Sequence, residues 1–78
     1  MREFLINIHS FQDVQDFVAV ATVQPFRIVV GNSRHLVNAK SFMGMFSLDY
    51  SEPLKVRMNC TEEEFQQFRS AVSRFLVT

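Results

Sequence analysis

At 78 residues the chain has room for one small domain, spanning 1–78. Its formal net charge of zero argues against general nucleic-acid binding, which needs concentrated Lys and Arg. No apolar run approaches the roughly 18 residues of a membrane span, while a hydrophobic content of 47% with nine phenylalanines suits a packed core rather than disorder.

The opening residues Met1-Arg2-Glu3 precede an apolar run too short for a signal peptide. Glu3 to Ile8 alternates loosely and reads as a strand. Ser10-Phe11-Gln12-Asp13 fits a helix start, with Ser10 as N-cap and Asp13 reaching back to it. Val14, Phe17, Val18 and Ala21 then share one helical face, and Pro25 is expected to stop the helix. Phe26 to Val30 is a β-branched strand. Gly31-Asn32-Ser33-Arg34 is a turn, and His35 to Asn38 returns as the second arm of a hairpin.

Ser41 opens a short helix expected to run to about Asp49. Ser51-Glu52-Pro53 is a loop. Leu54 to Asn59 alternates as a half-buried strand, with Lys55 and Arg57 outward. Thr61-Glu62-Glu63-Glu64 is a capping box with carboxylates at the positive helix end. Phe65, Phe68, Val72, Phe75 and Leu76 form the apolar stripe of the last helix. The order is βαββαβα. It predicts an α+β fold in which an antiparallel sheet packs its apolar face against helices.

Cys60 is the sole cysteine, so neither an intrachain disulfide nor a thiolate metal cluster can form. A reducing, cytoplasmic setting fits, with Cys60 as a small buried residue. His9 and His35 lack a third ligand at useful spacing, so no metal site is expected. No cofactor is implied. Glu62, Glu63 and Glu64 read as a helix start rather than acid–base catalysts. Lys40, Lys55 and Arg57 read as ordinary outward charges. The chemistry points to a binding module rather than an enzyme.

The segment Asn38-Ala39-Lys40-Ser41-Phe42-Met43-Gly44-Met45-Phe46-Ser47-Leu48 stands apart. Its short helix carries bulky apolar side chains on more than one face, so some must stay at the surface as a docking knuckle. Met45 and Leu48 are the residues expected to serve the core. This segment resembles the Asn/Ser-Ala-Lys-Ser-(Ile/Leu)-(Met/Phe)-Gly-x-x-(Ser/Thr)-Leu stretch of HPr, the small phosphocarrier of the bacterial phosphoenolpyruvate:sugar phosphotransferase system. The likeness runs without gaps from about Ser10 to the C-terminus. It implies an open-faced β-sandwich with four antiparallel strands and three helices on one face.

The resemblance also carries functional expectations. The HPr family bears its phosphoryl group on a histidine in a His-Thr/Ala-Arg-Pro motif opening the first helix. In the gap-free register the histidine position holds Ser10, the arginine position Gln12 and the proline position Asp13. Asp13 and Asp16 put negative charge where a phosphohistidine needs positive potential. His9 lies one residue early and is the shifted candidate. Ser41 matches the serine that a dedicated kinase phosphorylates in many Gram-positive bacteria; as an N-cap alone it is worth about 1 kcal/mol. Phe42, Met43 and Phe46 match the exposed apolar residues with which HPr meets enzyme I and other protein partners, so the resemblance implies that they face outward. Three readings follow: a binding or regulatory module not phosphorylated on histidine, a phosphocarrier using His9, and a structural domain that homodimerises through its apolar helix.

Overall fold

A computed structural model describes residues 1–77. Strand β1 spans Arg2–Ile6, helix α1 Phe11–Thr22, strands β2 and β3 Ile28–Gly31 and Leu36–Asn38, helix α2 Phe42–Phe46, strand β4 Leu54–Met58 and helix α3 Glu62–Ala71. A 3₁₀ turn follows at Ser73–Phe75. The four strands form one antiparallel sheet in the order β1-β4-β2-β3. The three helices cover one face, as the sequence order predicted.

The alternation in β4 sets the layers. Leu54, Val56 and Met58 are buried, and Lys55 and Arg57 sit between them on the other face. Ile6, Ile28 and Val30 join the buried row, which meets Val14, Phe17, Val18 and Ala21 of α1. Phe68 lies at the centre of the core. Its ring stands 5.9 Å from Phe4, 6.0 Å from Phe17 and 6.1 Å from Phe26, the last two edge-on. Edge-on aromatic pairs add about 0.5–1.5 kcal/mol beyond their burial.

Several boundaries differ from the sequence expectation. Strand β1 ends at Ile6, two residues early, where Asn7 N donates to Phe75 O at 2.8 Å and Val77 N to Leu5 O at 3.1 Å. The C-terminal segment thus lies along the β1 edge, with Leu76 bridged to Ile6. Helix α1 stops at Thr22 with Val23 as its C-cap, before Pro25 is reached. Helix α2 ends at Phe46 rather than near Asp49, because Ser47 turns its N–H and hydroxyl back onto the last turn. Strands β2 and β3 start later than expected, at Ile28 and Leu36. The last apolar stripe is split: Phe68 lies in α3, Val72 is its C-cap and Phe75 belongs to the 3₁₀ turn, yet all three are buried.

Each N-cap read from the sequence forms. Thr61 and Glu64 exchange side chain and backbone as a complete capping box, at 3.0 and 3.1 Å. Asp13 departs from this pattern: its carboxylate reaches the amide of His9 at 3.0 Å rather than that of Ser10. Cys60 is half-buried rather than buried, and its thiol is pushed up by desolvation and by the nearby Glu64.

The glycines mark close approaches. A Cβ on Gly31 would stand 1.9 Å from the carbonyl oxygen of His35, so the hairpin closes only over a hydrogen. A Cβ on Gly44 would come within 3.2 Å of the Val37 Cβ, where α2 rests on the edge strand β3.

Candidate functional site

Helix α2 is too short to bury all its apolar side chains, and the partition follows from its facing. Met45 points into the core and is fully buried, and Leu48 beyond the helix is nearly so. Phe42, Met43 and Phe46 stay 46%, 83% and 41% exposed. These outward positions match the sequence expectation.

A fourth residue completes the surface. Phe11, the first residue of α1, is 63% exposed, and its ring stacks on Phe46 with centroids 4.8 Å apart and planes 12° from parallel. Phe46 in turn stacks on Phe42 at 6.1 Å and 22°. The rings of Phe11, Phe46 and Phe42 thus form one near-parallel row bridging two helices. This differs from the core, where rings meet tilted or edge to face. Phe11 was not singled out from the sequence. The available signal was that the α1 stripe extends one step back from Val14 to Phe11, beyond the reach of the core.

Beside this row lies a hollow of about 460 Å³ lined by Phe11, Phe46, His9, Ser10 and Tyr50. Tyr50 donates its hydroxyl to the carbonyl of Met45, pinning the loop after α2 to the helix end. Burial pushes its phenol up to about 12. His35 supplies a second tether. The hydroxyl of Ser47 donates to Gly44 O at 2.6 Å, so His35 Nε2, 3.2 Å from that hydroxyl, is the donor in their bond. A third tether is Lys40, whose ammonium lies 2.7 Å from Gln24 O. Lys40 is therefore a strut from the α2 side to the loop after α1, not the plain outward charge expected. Ser41 is half-buried, and its hydroxyl accepts from Gly44 N at 3.2 Å.

The start of α1 shows the largest electrostatic departure. The sequence set Asp13 and Asp16 there as uncompensated negative charge. Arg74, from the 3₁₀ turn, bridges both, at 2.9 Å to Asp13 Oδ1 and 2.6 Å to Asp16 Oδ2. Its guanidinium also lies 4.0 Å over the ring of Phe75. Gln12 donates to the other oxygen of Asp16 at 2.9 Å. The His9 amide, and then Arg74, hold the Asp13 carboxyl below its usual range. A cation therefore stands at this helix start, engaged by two carboxylates. Nothing local announces it, since Arg74 lies 61 and 58 residues from its partners.

His9 and Ser10 are both exposed at the rim of the hollow, side by side at the helix entrance. Among the described residues, no three His, Cys, Asp or Glu side chains gather to hold a metal ion, and no helix is long and apolar enough to cross a membrane.

The fold, four antiparallel strands in one sheet with three helices, matches that of a solved protein. The crystal structure of HPr-C-His from Thermoanaerobacter tengcongensis superposes with a TM-score of 0.72 and 28% sequence identity, covering 94% of this chain and 92% of that one. The fold is HPr-like. No protein-family model matches the sequence, and no curated protein matches it. Within the HPr-like fold, the aromatic row joins the starts of α1 and α2 into one exposed face.

Proposed function

We propose that this HPr-like chain is a cytoplasmic binding or regulatory module related to the sugar phosphotransferase system, which docks protein partners and does not carry phosphate on a histidine. The observation that carries the reading is the row Phe11–Phe46–Phe42, flanked by Met43. These rings remain in water although the core lies beneath them, and exposed apolar surface of this kind serves association. Aromatic anchors of this sort dominate interface energies.

The state of the α1 entrance supports the second half of the reading. In the gap-free register with HPr, Ser10 takes the histidine position and Gln12 the arginine position. Arg74 is the nearby cation, and Asp13 and Asp16 already hold it. A phosphoryl group on His9 would have to draw Arg74 from both carboxylates. Ser41 is the regulatory phosphorylation candidate: a phosphate there adds nearly two negative charges beside Phe42 and Met43 and would alter partner choice.

His9 defines the competing reading, because it is exposed at the hollow's rim and sterically open to a donor. Incubation with enzyme I and phosphoenolpyruvate, followed by intact-mass measurement, separates the two. The expected mass is unchanged; a rapid acid-labile gain of one phosphoryl group mapped to His9 would establish the phosphocarrier instead. The docking half is tested by pull-down with enzyme I and other phosphotransferase-system proteins. Phe46→Ala, Phe11→Ala and Met43→Asp should each weaken capture by about 2 kcal/mol, near thirtyfold in Kd, while circular dichroism stays that of the parent. Sedimentation of the parent as a dimer that these variants convert to monomer would favour the homodimerising reading.

A further inference from the structure

The open face of the sheet carries a second, chemically different surface. Two rows of side chains cross it. One runs Glu3, Arg57, Val29, Asn38 and the next runs Leu5, Lys55, Gly31, Leu36, as the strand register dictates. Arg57 and Lys55 are successive outward residues of β4, so their charged heads share this face. Glu3 is the carboxylate that meets both, from the β1 side: Arg57 Nε lies 3.2 Å from one of its oxygens and Lys55 Nζ 3.6 Å from the other.

That arrangement leaves bonding capacity over. One carboxylate faces two cations, a surplus of one positive charge. The Arg57 Nε contact also lies off the line a hydrogen bond requires, so this buried N–H has no hydrogen-bond partner among the described residues. On the side away from Glu3, the sheet opens into a hollow of about 290 Å³, lined by Gly31, Asn32, Ser33, Leu36, Lys55 and Arg57. Gly31 lies opposite Lys55 across the β2–β4 pair. The turn adds donors. Asn32 Oδ1 accepts from the amides of Arg34 and His35 at 2.8 and 3.0 Å, which leaves the amino group of the same side chain as a donor. Ser33 contributes a hydroxyl.

A planar guanidinium, an ammonium, an amide and a hydroxyl around one concavity are a donor set for a tetrahedral oxyanion. Glu3 already demonstrates that both cations can converge on a single acid group. The hollow is larger than a bare oxyanion needs and has the side chain of Leu36 on its wall, so it has room for a small organic group. We propose that this hollow is a binding site for a small phosphate monoester, with Arg57 and Lys55 on the phosphate and Leu36 against the ester group. Its location on the open sheet face makes it independent of the aromatic docking row.

Amide and side-chain NMR of the full chain, titrated with phenyl phosphate, inorganic phosphate and acetate, tests this. Phenyl phosphate should shift Gly31–Ser33 and Lys55–Arg57 saturably, more tightly than inorganic phosphate, and acetate should be weakest. Arg57→Gln should weaken phenyl phosphate at least about tenfold. Glu3→Gln, which removes the internal competitor, should tighten it by about threefold; a purely structural Glu3–Arg57–Lys55 cluster would not give that gain. Thermal melting confirms that each variant is folded. Shifts spread equally over Lys40, Arg69 and the other cations would overturn the site, as would unchanged affinity in both folded variants. Equal affinity for inorganic phosphate and its phenyl ester would overturn the ester assignment.

Discussion

Tyr50 couples a single side chain to the geometry of the docking helix. Its hydroxyl holds the Met45 carbonyl, and burial raises its phenol from 10 to about 12. The contribution to stability is fully present below pH 10. It is lost as pH rises from there toward 12, because the unfolded chain releases its phenolic proton before the native state does. As Tyr50 is the chain's only tyrosine and there is no tryptophan, the phenolate absorbance reports this group alone. The expected titration midpoint is near 12 in the folded protein. Tyr50→Phe should cost about 1 kcal/mol at neutral pH and flatten the alkaline fall in stability, as followed by urea unfolding across that pH range. Gly31 constrains the hairpin just as locally. Gly31→Ala brings a methyl within 1.9 Å of a backbone oxygen, and an expected loss of about 3 kcal/mol or more should appear as a lowered urea midpoint.

Among the elements, α3 shows how far periodic pattern can be trusted. Its capping box and its buried Phe68 were both legible, because each depends on spacing within one helix. The break after Ala71 was not, because the stripe continues in register through Val72 and Phe75 while the backbone tightens into a 3₁₀ turn. Phe68 joins the packing of β1, α1 and the segment before β2 through Phe4, Phe17 and Phe26. Phe68→Ala should therefore cost about 3–5 kcal/mol, much of the margin of a small domain. A melting temperature within a degree or two of the parent would show that the core does not depend on it. The short α2 was equally readable in kind: five residues cannot hide four bulky side chains. What spacing could not reveal was that α1 contributes Phe11 to the same face, since that requires knowing how the two helices lie together.

At the scale of the whole molecule, the contacts that organise the candidate site join distant parts of the chain. Arg74 ties the C-terminal turn to the start of α1, and Arg2 ties β1 to Glu62 at 2.8 Å. Sequence periodicity is silent about such pairs, so the charge at Asp13 and Asp16 was read with the right sign and without its counterion. Because the Asp13 carboxyl is held low, its stabilising effect is present above about pH 4 and disappears as pH falls through its native value. Arg74→Met should remove part of that acid dependence. It should cost about 1 kcal/mol at neutral pH, or roughly 5 °C in melting temperature, since exposed pairs contribute little individually. An unaltered acid limb in the variant would mean that Arg74 is a bystander.

The strand order also governs when this protein can fold during synthesis. β4 lies between β1 and β2 in the sheet, yet it is the last strand made. A nascent chain can close the β2–β3 hairpin early, but β1 has no strand to pair with until residues 54–58 leave the ribosome. Its outer edge waits longer still, for Phe75 to Val77. Until then Phe4, Leu5 and Ile6 are exposed on an unpaired segment, the kind of surface that recruits chaperones or aggregates. Folding of this domain therefore waits for β4, and chains arrested before it should be captured by chaperones rather than accumulate as folded intermediates.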